Sequence, residues 1–193
     1  MSRPRAFDPD AALAAARDAF WQRGYEATSL ADLEAATGLS RSSIYQAFGS
    51  KRALFDAAVD HYRARLMDPM LQRLEQPDAR PDDVRAYLAG LAATFRADGP
   101  LAARGCLVVN TMAELADRDD AARATAVAYQ GRVTSALANG LADGAVAGTP
   151  ERGGADRRAA VLYAAVVGAL VMSHVDREAA ATLCEQLAAE LPG

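Results

Sequence analysis

Four polar side chains in the first quarter of the chain could form hydrogen bonds with a nucleic acid. A helix beginning after Ser40 would rotate by about 100° per residue. Its outward face would then carry Arg41, Ser42, Tyr45 and Gln46. Guanidinium, hydroxyl, phenol and amide groups form hydrogen bonds with base edges and phosphate oxygens. The face has no acidic residue, so it is a candidate DNA contact, although an ordinary solvated helix face can have the same composition.

Other groups nearby could bind an anion such as phosphate. Lys51 is the only lysine of the chain and lies at the predicted start of a helix, where the helix dipole attracts negative charge. Thr28 and Ser29 present hydroxyl groups at the predicted start of an earlier helix in the same way. Arg3 and Arg5 could reach an adjacent minor groove, but a merely solubilising tail is equally compatible with them.

The helices that must position these groups are predicted from capping residues and glycine stops. Asp8 and Pro9 are typical of a helix start, and Gly24 of a helix end. The next three helices are predicted at 28–37, 40–48 and from 50 towards 67. Two short helices separated by a tight turn that contains Gly38 are typical of a helix-turn-helix, whose second short helix enters the major groove.

Composition favours an all-α protein with a DNA-binding surface only near its start. Hydrophobic residues make up 51% of the 193 residues, without the alternating runs that strands require. The net charge of −4 argues against DNA binding by the chain as a whole. Residues 1–52, however, have seven basic and six acidic side chains, a net charge of +1, whereas the remainder has 14 basic and 19 acidic, a net charge of −5. This asymmetry mildly favours the N-terminal quarter.

Several classes of protein and site are not supported by the sequence. Cys106 and Cys184 lie far apart and no signal-peptide pattern is present, so we expect a cytoplasmic protein without disulfides. The longest apolar run, 159–172, is shorter than the about 20 residues that span a membrane. His61 and His174 form no metal-ligand spacing with either cysteine, so we expect no metal and no cofactor.

The rest of the chain is predicted to be helical as well. Five further helices are predicted at about 81–97, 105–116, 119–141, 156–174 and 176–191, with a flexible connector at 144–154. This gives about nine helices in total. We place the functional boundary near residue 51, between an N-terminal helix-turn-helix domain, 1–50, and a larger helical domain, 51–193.

Two stretches make the interpretation specific. Residues 24–33 and 37–55 contain, in order, a Gly-aromatic pair, a Thr-Ser pair, a Tyr-x-x-Phe motif and a Lys-x-x-Leu motif. This ordered combination closely resembles the DNA-binding domain of the TetR/AcrR family, over roughly residues 7–55. The resemblance implies that four side chains form its core: Phe20, Leu33, Ile44 and Phe48. The pair Glu34-Ala35 after Leu33 departs from the family, which often has Ala there, and leaves the packing of that turn open.

The resemblance also implies roles on DNA. Three side chains would face bases: Arg41, Ser42 and Gln46. Thr28, Tyr45 and Lys51 would hold phosphates. The Ser29 hydroxyl, next to Thr28, is a further candidate contact.

In that family the C-terminal domain supplies a dimer interface from its last two helices and a ligand cavity from the middle ones. The sequence agrees, because 159–172 is apolar nearly all round, and leucines recur every four residues in the last helix, at Leu183, Leu187 and Leu191. Two copies of this pair would form a four-helix bundle, although a helix buried within one subunit has the same pattern. Dimerisation would place two recognition helices about 34–36 Å apart, as successive major grooves require.

Nine soft, aromatic or weakly polar side chains are candidates for a ligand cavity, although most of them fit plain core packing equally well. They are Met67, Met70, Phe95, Cys106, Val109, Asn110, Met112, Tyr129 and Tyr163.

The sequence therefore predicts a ligand-responsive transcriptional regulator, a repressor that binds a pseudo-palindromic operator in double-stranded DNA as a homodimer and is released by a small molecule. One alternative is a thiol-based sensor of electrophiles or oxidants, because Cys106 lies at a predicted helix start beside Arg104, where the reactive thiolate is favoured. A helical enzyme is a weaker alternative, since no nucleophile motif, phosphate loop or carboxylate pair is present. A protein-binding adaptor would leave the polar face of 41–46 without a role.

Overall fold

The computed structural model of the chain describes residues 7–145 and 148–191. Every regular element in these residues is a helix, and nine of the α-helices have eight or more residues, so the predicted all-α fold with about nine helices is confirmed. The chain forms two compact units that divide between Met67 and Asp68. Arg3 and Arg5 lie outside the described residues.

The N-terminal unit contains four α-helices followed by a π-helical turn. They are α1 (Pro9–Arg23), α2 (Leu30–Thr37), α3 (Arg41–Phe48), α4 (Lys51–Tyr62) and the π-helical turn (Arg63–Met67). Each α-helix begins after a residue whose side-chain oxygen accepts a backbone N–H of the first turn: Asp8, Ser29, Ser40 and Ser50. Asp8, Ser40 and Ser50 are the capping residues that the sequence predicts, because capping depends only on residues within one helical turn. At the start of α2 the sequence leaves Thr28 and Ser29 open, and Ser29 is the cap.

Aromatic rings form the core of this unit where α1 packs against α4. The ring of Phe20 meets that of Phe55 edge-on, with centroids 5.0 Å apart. Trp21 meets Tyr62 in the same way at 4.9 Å. Such edge-to-face pairs stabilise a core beyond the area that they bury.

The compact N-terminal unit extends further than the predicted boundary at residue 50. The inner side of α4 is buried along its whole length, at Leu54, Phe55, Ala58, Val59 and Tyr62. Because α4 packs on α1, it belongs physically with the preceding helices. A functional division into 1–50 and 51–193 stays a prediction.

The C-terminal unit contains seven α-helices within its described residues. They are α5 (Asp68–Leu71), α6 (Pro81–Arg96), α7 (Pro100–Arg104), α8 (Leu107–Leu115), α9 (Asp120–Leu141), α10 (Pro150–Met172) and α11 (Arg177–Ala189). The largest contacts join α6 to α11 and α9 to α10, and α10 also packs against α11. None of the described helices combines the length and the apolar character needed to cross a membrane.

Two segments differ from their predicted structure. Residues 100–104, which lie between two predicted helices, form the short helix α7, since Pro100 occupies a first helical position, where its missing N–H has no helical partner. The connector predicted at 144–154 is too long, because α10 already begins at Pro150. Thr149 caps α10, its Oγ1 accepting the amide of Arg152 at 3.3 Å.

The link between α7 and α8 depends on a glycine. Gly105 has a φ of +61°, which side-chain-bearing residues rarely adopt. A Cβ at this position would clash with the imidazole of His174 and lie 2.9 Å from the carbonyl oxygen of Leu170. The link therefore passes the end of α10 more closely than any other residue type allows.

Candidate functional site

α3 has a buried side and a polar exposed side. Ile44 is fully buried and Phe48 half-buried, so this side of α3 contacts the core. The opposite side is exposed and carries Arg41, Ser42, Tyr45 and Gln46. Ala47, which the periodicity places inside, is exposed as well. The core-facing stripe of α3 is therefore narrower than predicted, and the predicted polar groups all lie outside it.

Three of these polar side chains are not engaged within the described part of the chain. The guanidinium of Arg41, the phenol of Tyr45 and the amide of Gln46 form no hydrogen bond or ion pair there. The Ser42 hydroxyl lies 2.9 Å from the hydroxyl of Ser40. The donors and acceptors of α3 thus remain available to an external partner.

The turn that joins α2 to α3 is fixed by side chains of α2. The backbone N–H of Arg41 donates to the Glu34 carboxylate at 2.6 Å, which satisfies an amide that has no partner inside α3. Thr37 donates its hydroxyl to the carbonyl oxygen of Leu33 at 2.6 Å, and Gly38 ends α2 with a φ of +69°. Glu34, the departure from the TetR/AcrR pattern, therefore holds this turn together.

The start of α2 is closed by a reciprocal pair of hydrogen bonds. The amide of Asp32 donates to the Ser29 hydroxyl oxygen at 3.2 Å, and the amide of Ser29 donates to the Asp32 carboxylate at 2.9 Å. Hydrogen bonds from the hydroxyl and amide of Ser29, followed by one from Arg23, lower the pKa of Asp32 to about 2. The Ser29 hydroxyl also donates to Asp32 at 2.6 Å, so a phosphate would have to compete with this carboxylate.

Thr28 does not have the position predicted for it. Its side chain is fully buried, and its hydroxyl donates to the carbonyl oxygen of Gly24 at 2.6 Å. The hydroxyl closes the turn between α1 and α2 and is not exposed to a phosphate. We therefore correct the prediction that the Thr28 side chain binds phosphate.

The first turn of α4 presents a lysine at the positive end of the helix dipole. Ser50 caps the helix by accepting the amide of Ala53 at 3.0 Å, and no acidic residue occupies the first turn. The Lys51 ammonium nitrogen lies 4.4 Å from the centroid of the Tyr25 ring. Lys51 forms no ion pair with a carboxylate in the described residues. The positive charge of Lys51 adds to that of the helix dipole at this end of α4, and together they favour binding of an anion.

Comparison with known families covers both units. Residues 12–58 match the family described as bacterial regulatory proteins, tetR family, and residues 81–187 match the tetracyclin repressor-like C-terminal domain. The chain belongs to the TetR family. It is therefore a transcriptional regulator with a DNA-binding helix-turn-helix domain, in a family of regulators rather than enzymes.

Individual relatives agree with this assignment. The HTH-type transcriptional repressor ComR of Escherichia coli (strain K12) is 40% identical over 58% of this chain and 53% of ComR. The repressor BdcR of the same organism is 32% identical over 66% of this chain and 62% of BdcR. The matched region thus spans between about half and two thirds of these curated relatives.

A solved structure matches over almost the whole chain. It is a cysteine mutant of the TetR family transcriptional regulator CifR in complex with a 26-bp double-strand operator DNA. CifR is 34% identical, and the match covers 98% of this chain and 100% of the CifR chain with a TM-score of 0.76.

The C-terminal unit of this TetR-family protein contains an open cavity of about 230 Å³. Its lining residues come from α5, α6 and the segment after α5: Met70, Arg73, Leu74, Asp83, Ala86, Tyr87 and Gly90. Arg73 forms ion pairs with Asp78 at 2.7 Å and with Asp83 at 3.0 Å, so its charge is already compensated. Met70 is the one predicted ligand residue that lines this cavity.

Three tyrosines and two cysteines of the same unit are wholly or partly buried: Cys106, Cys184 and Tyr129 are buried, and Tyr87 and Tyr163 are half-buried. Burial raises the pKa of Tyr87 and Tyr129 strongly and that of Tyr163 to a lesser degree, and Cys106 adds to the shift of all three phenols. Cys106 is therefore a common neighbour of Tyr129 and Tyr163, which were predicted to line a ligand cavity, and of Tyr87, which was not. Burial also raises the pKa of Cys184 to about 11, so the Cys184 thiol is neutral at physiological pH.

Tyr87 and Cys184 were not among the predicted ligand residues. Tyr87 links the two cysteines to the cavity, because it lines the cavity and interacts electrostatically with both of them. The spacing of Asp83, Ala86, Tyr87 and Gly90 along α6 follows the i, i+3, i+4, i+7 pattern of one helix face, which could have indicated a shared surface. Nothing local in the sequence distinguishes Cys184 from an ordinary core residue.

The remaining predicted ligand residues do not line the cavity. They are Met67, Phe95, Val109, Asn110 and Met112. Met67 belongs to the N-terminal unit, where its sulfur accepts the hydroxyl of Tyr62 at 3.5 Å. Phe95 is fully buried, and the amide of Asn110 donates to the carbonyl oxygen of Arg104 at 2.8 Å. Met67, Phe95 and Asn110 thus already have partners or packing within the fold, and a ligand-binding role for the five residues stays a prediction.

α10 is apolar on two opposite sides. Its inner side is buried at Ala159, Leu162, Val166 and Ala169. Its outer side, continued beyond the helix end, is exposed at Val161, Ala164, Gly168, Val171 and Val175. These exposed positions recur every three or four residues and so form one continuous apolar stripe, which a solvated helix face rarely carries. On α11, Leu183 and Leu187 are half-buried, as is Leu191 after its end.

Proposed function

We propose that this regulator is a repressor that binds a pseudo-palindromic operator as a homodimer and is released by a small molecule. The observation that carries the proposal is the exposed, unengaged set of donors and acceptors on α3, next to the uncompensated Lys51 at the start of α4. Matched relatives described as repressors, and the CifR complex with operator DNA, support the same function.

Individual roles on DNA follow from the chemistry and exposure of each group. Arg41, Ser42 and Gln46 contact base edges in the major groove, since guanidinium and amide groups form paired hydrogen bonds with purines. Tyr45 and Lys51 bind phosphates and fix the position of α3. Ser29 contributes a phosphate contact at the start of α2, in competition with Asp32. The first three residues determine sequence preference, and the others determine affinity.

The exposed side of α10 supports dimerisation through the last two helices. Val161, Val171 and Val175 are 71%, 56% and 92% exposed, and they repeat along one side of α10 and the turn after it. Pairing with the same side of a second copy would remove these valines from water in a two-fold arrangement. The leucines of α11 would complete a four-helix bundle.

The cavity lined by Tyr87 supports release by a small molecule in the cytoplasm. A volume of about 230 Å³ can accommodate a compact organic molecule. The two charged residues of the wall, Arg73 and Asp83, form an ion pair with each other, which favours a neutral ligand. A ligand that alters the spacing of the two recognition helices would weaken operator binding.

Binding to the DNA that flanks the gene tests the whole proposal. A labelled fragment should bind as one complex containing two subunits, protect a pseudo-palindromic site, and lose affinity steeply and log-linearly with salt concentration. A scrambled site of the same composition is the control. Equal affinity for both fragments at physiological salt would contradict the proposal.

A second candidate function is thiol-based sensing through Cys106. The position of Cys106 favours it, because this buried residue precedes α8 and neighbours three phenols. On this alternative, Cys106→Ser should abolish release of operator DNA by an oxidant or electrophile, whereas Cys184→Ser should not. Unchanged release from Cys106→Ser protein would eliminate this candidate.

A further inference from the structure

Tyr25 lies in the turn between α1 and α2, and two aromatic rings hold it in place. Its ring is stacked on Phe20 with centroids 6.2 Å apart and an interplanar angle of 26°. It is also tilted against Phe55, with centroids 4.9 Å apart. Both neighbours are buried core residues, so the orientation of the Tyr25 ring is set by the core of the unit.

The remaining surface of the ring is covered by a cation. The Lys51 ammonium nitrogen lies 4.4 Å from the ring centroid, within the range in which the ring quadrupole attracts a positive charge. The neighbouring Arg52 is 5.9 Å from the same centroid, but its guanidinium also binds the Asp56 carboxylate at 2.8 Å. Lys51 has no such carboxylate in the described residues.

The type of group that contacts Lys51 determines how much of the positive charge of its ammonium group remains available to DNA. A carboxylate beside Lys51 would hold the ammonium group but would also cancel its attraction for a phosphate. An aromatic ring is uncharged, so it restricts the lysine side chain without neutralising it. The ammonium group keeps its three N–H donors, and the ring face does not saturate any of them as an oxygen acceptor would.

We propose that Tyr25 is a positioning residue for DNA binding, whose ring holds the Lys51 ammonium at the start of α4 for contact with a DNA phosphate. The proposal rests on the phosphate-binding role of Lys51 described above. A lysine side chain in water has many rotamers, and restricting them before binding lowers the entropic cost of the phosphate contact. Tyr25 itself need not touch DNA.

Fluorination of the ring at position 25 distinguishes the positioning role of Tyr25 from a role in packing alone. Phenylalanine at position 25 keeps the ring, and Tyr25→Phe should bind operator with affinity within about twofold of the natural protein. Incorporation of pentafluorophenylalanine at the same position removes the negative ring face with little change of shape. The Kd for operator should then rise about two- to fivefold relative to Tyr25→Phe, measured at a temperature where thermal unfolding shows both proteins to be folded.

The same pair of side chains at position 25 is then compared in the Lys51→Ala protein. Fluorination should have no effect on affinity there, because the cation is missing. An equal effect in both backgrounds, or none in the presence of Lys51, would overturn the positioning role. Lys51→Ala alone tests the proposed phosphate contact. If this substitution left the affinity for operator and its salt dependence unchanged, neither the phosphate contact of Lys51 nor the positioning role of Tyr25 would hold.

Discussion

The backbone N–H of Arg41, the first residue of α3, donates to the carboxylate of Glu34 in α2 at 2.6 Å. Two consecutive helices of the DNA-binding domain are thus joined by a hydrogen bond at the point where α3 begins. Glu34→Ala should remove this cap and lower the free energy of unfolding by about 0.5–2 kcal/mol, the usual range for a lost helix cap.

Glu34→Gln is the matched variant, because its amide oxygen can still accept the hydrogen bond. Chemical denaturation should therefore give a value for Glu34→Gln closer to that of the natural protein than to that of Glu34→Ala. Equal destabilisation by both substitutions would mean that the charge of Glu34, rather than the hydrogen bond, stabilises the turn.

Lys51→Ala and Gln46→Ala should alter DNA binding in different ways. Loss of a phosphate contact weakens binding to all sequences alike and reduces the slope of log K against log salt by about one for each contact. Loss of the Gln46 amide should instead change the base preference at one position of each half-site, at a cost of about 1–3 kcal/mol on the preferred sequence. Fluorescence anisotropy with operator and scrambled DNA measures both effects. The assignment is wrong if the two variants behave identically.

The stability of the N-terminal unit should depend on Asp32 in acid. Because its folded pKa of about 2 lies below the ordinary value of 3.8, the ionised carboxylate stabilises the folded state. This contribution is complete above the ordinary value and is lost as the pH falls towards 2. The difference in unfolding temperature between the natural protein and Asp32→Asn should therefore become smaller as the pH falls from the ordinary value towards 2. Thermal unfolding followed by circular dichroism measures this difference. A difference that stays constant would show that the Asp32 charge is not responsible.

Filling the cavity from Gly90 should abolish the response to an effector. No heavy atom lies within 4 Å of the position that a Cβ would take on Gly90, so Gly90→Leu can enter the cavity without a clash at Cβ. Gly131 in α9 is equally open and does not line the cavity, which makes Gly131→Leu the matched control. Both replace a glycine within a helix and should stabilise it to a similar degree.

A thermal-shift screen supplies the compounds for this comparison. A compound that stabilises the natural protein and releases operator DNA should still stabilise Gly131→Leu but no longer stabilise Gly90→Leu. If such a compound acts equally on both variants, the effector binds elsewhere.

A charge on the outer side of α10 should prevent dimerisation. Val171 is 56% exposed in the single chain, and Val171→Glu would place a carboxylate in the proposed apolar interface at a high desolvation cost. Val127 in α9 is 61% exposed and serves as the control position. Size-exclusion chromatography with light scattering should show a monomer for Val171→Glu and a dimer for Val127→Glu. A natural protein that is monomeric at micromolar concentration would refute the interface itself.

The sequence alone was sufficient for the features that depend on neighbouring residues. Asp8, Ser40 and Ser50 start their helices where predicted, because a cap involves a side chain and amides within one turn. The burial of Ile44 and the exposure of Arg41 follow from the helical repeat, which is also local. The ordered motifs across residues 24–55 were enough to recognise the family.

Only the tertiary structure decided the features that depend on residues far apart in the chain. Burial of Thr28 turned a predicted phosphate ligand into a structural hydroxyl, and the contact between Tyr25 and Lys51 joins residues 26 positions apart. The cavity likewise requires α6 to pack beside the segment that follows α5. Capping and periodicity are set by hydrogen bonds and rotations within a single helix, whereas burial and cavities are set by how helices pack, which no local pattern contains.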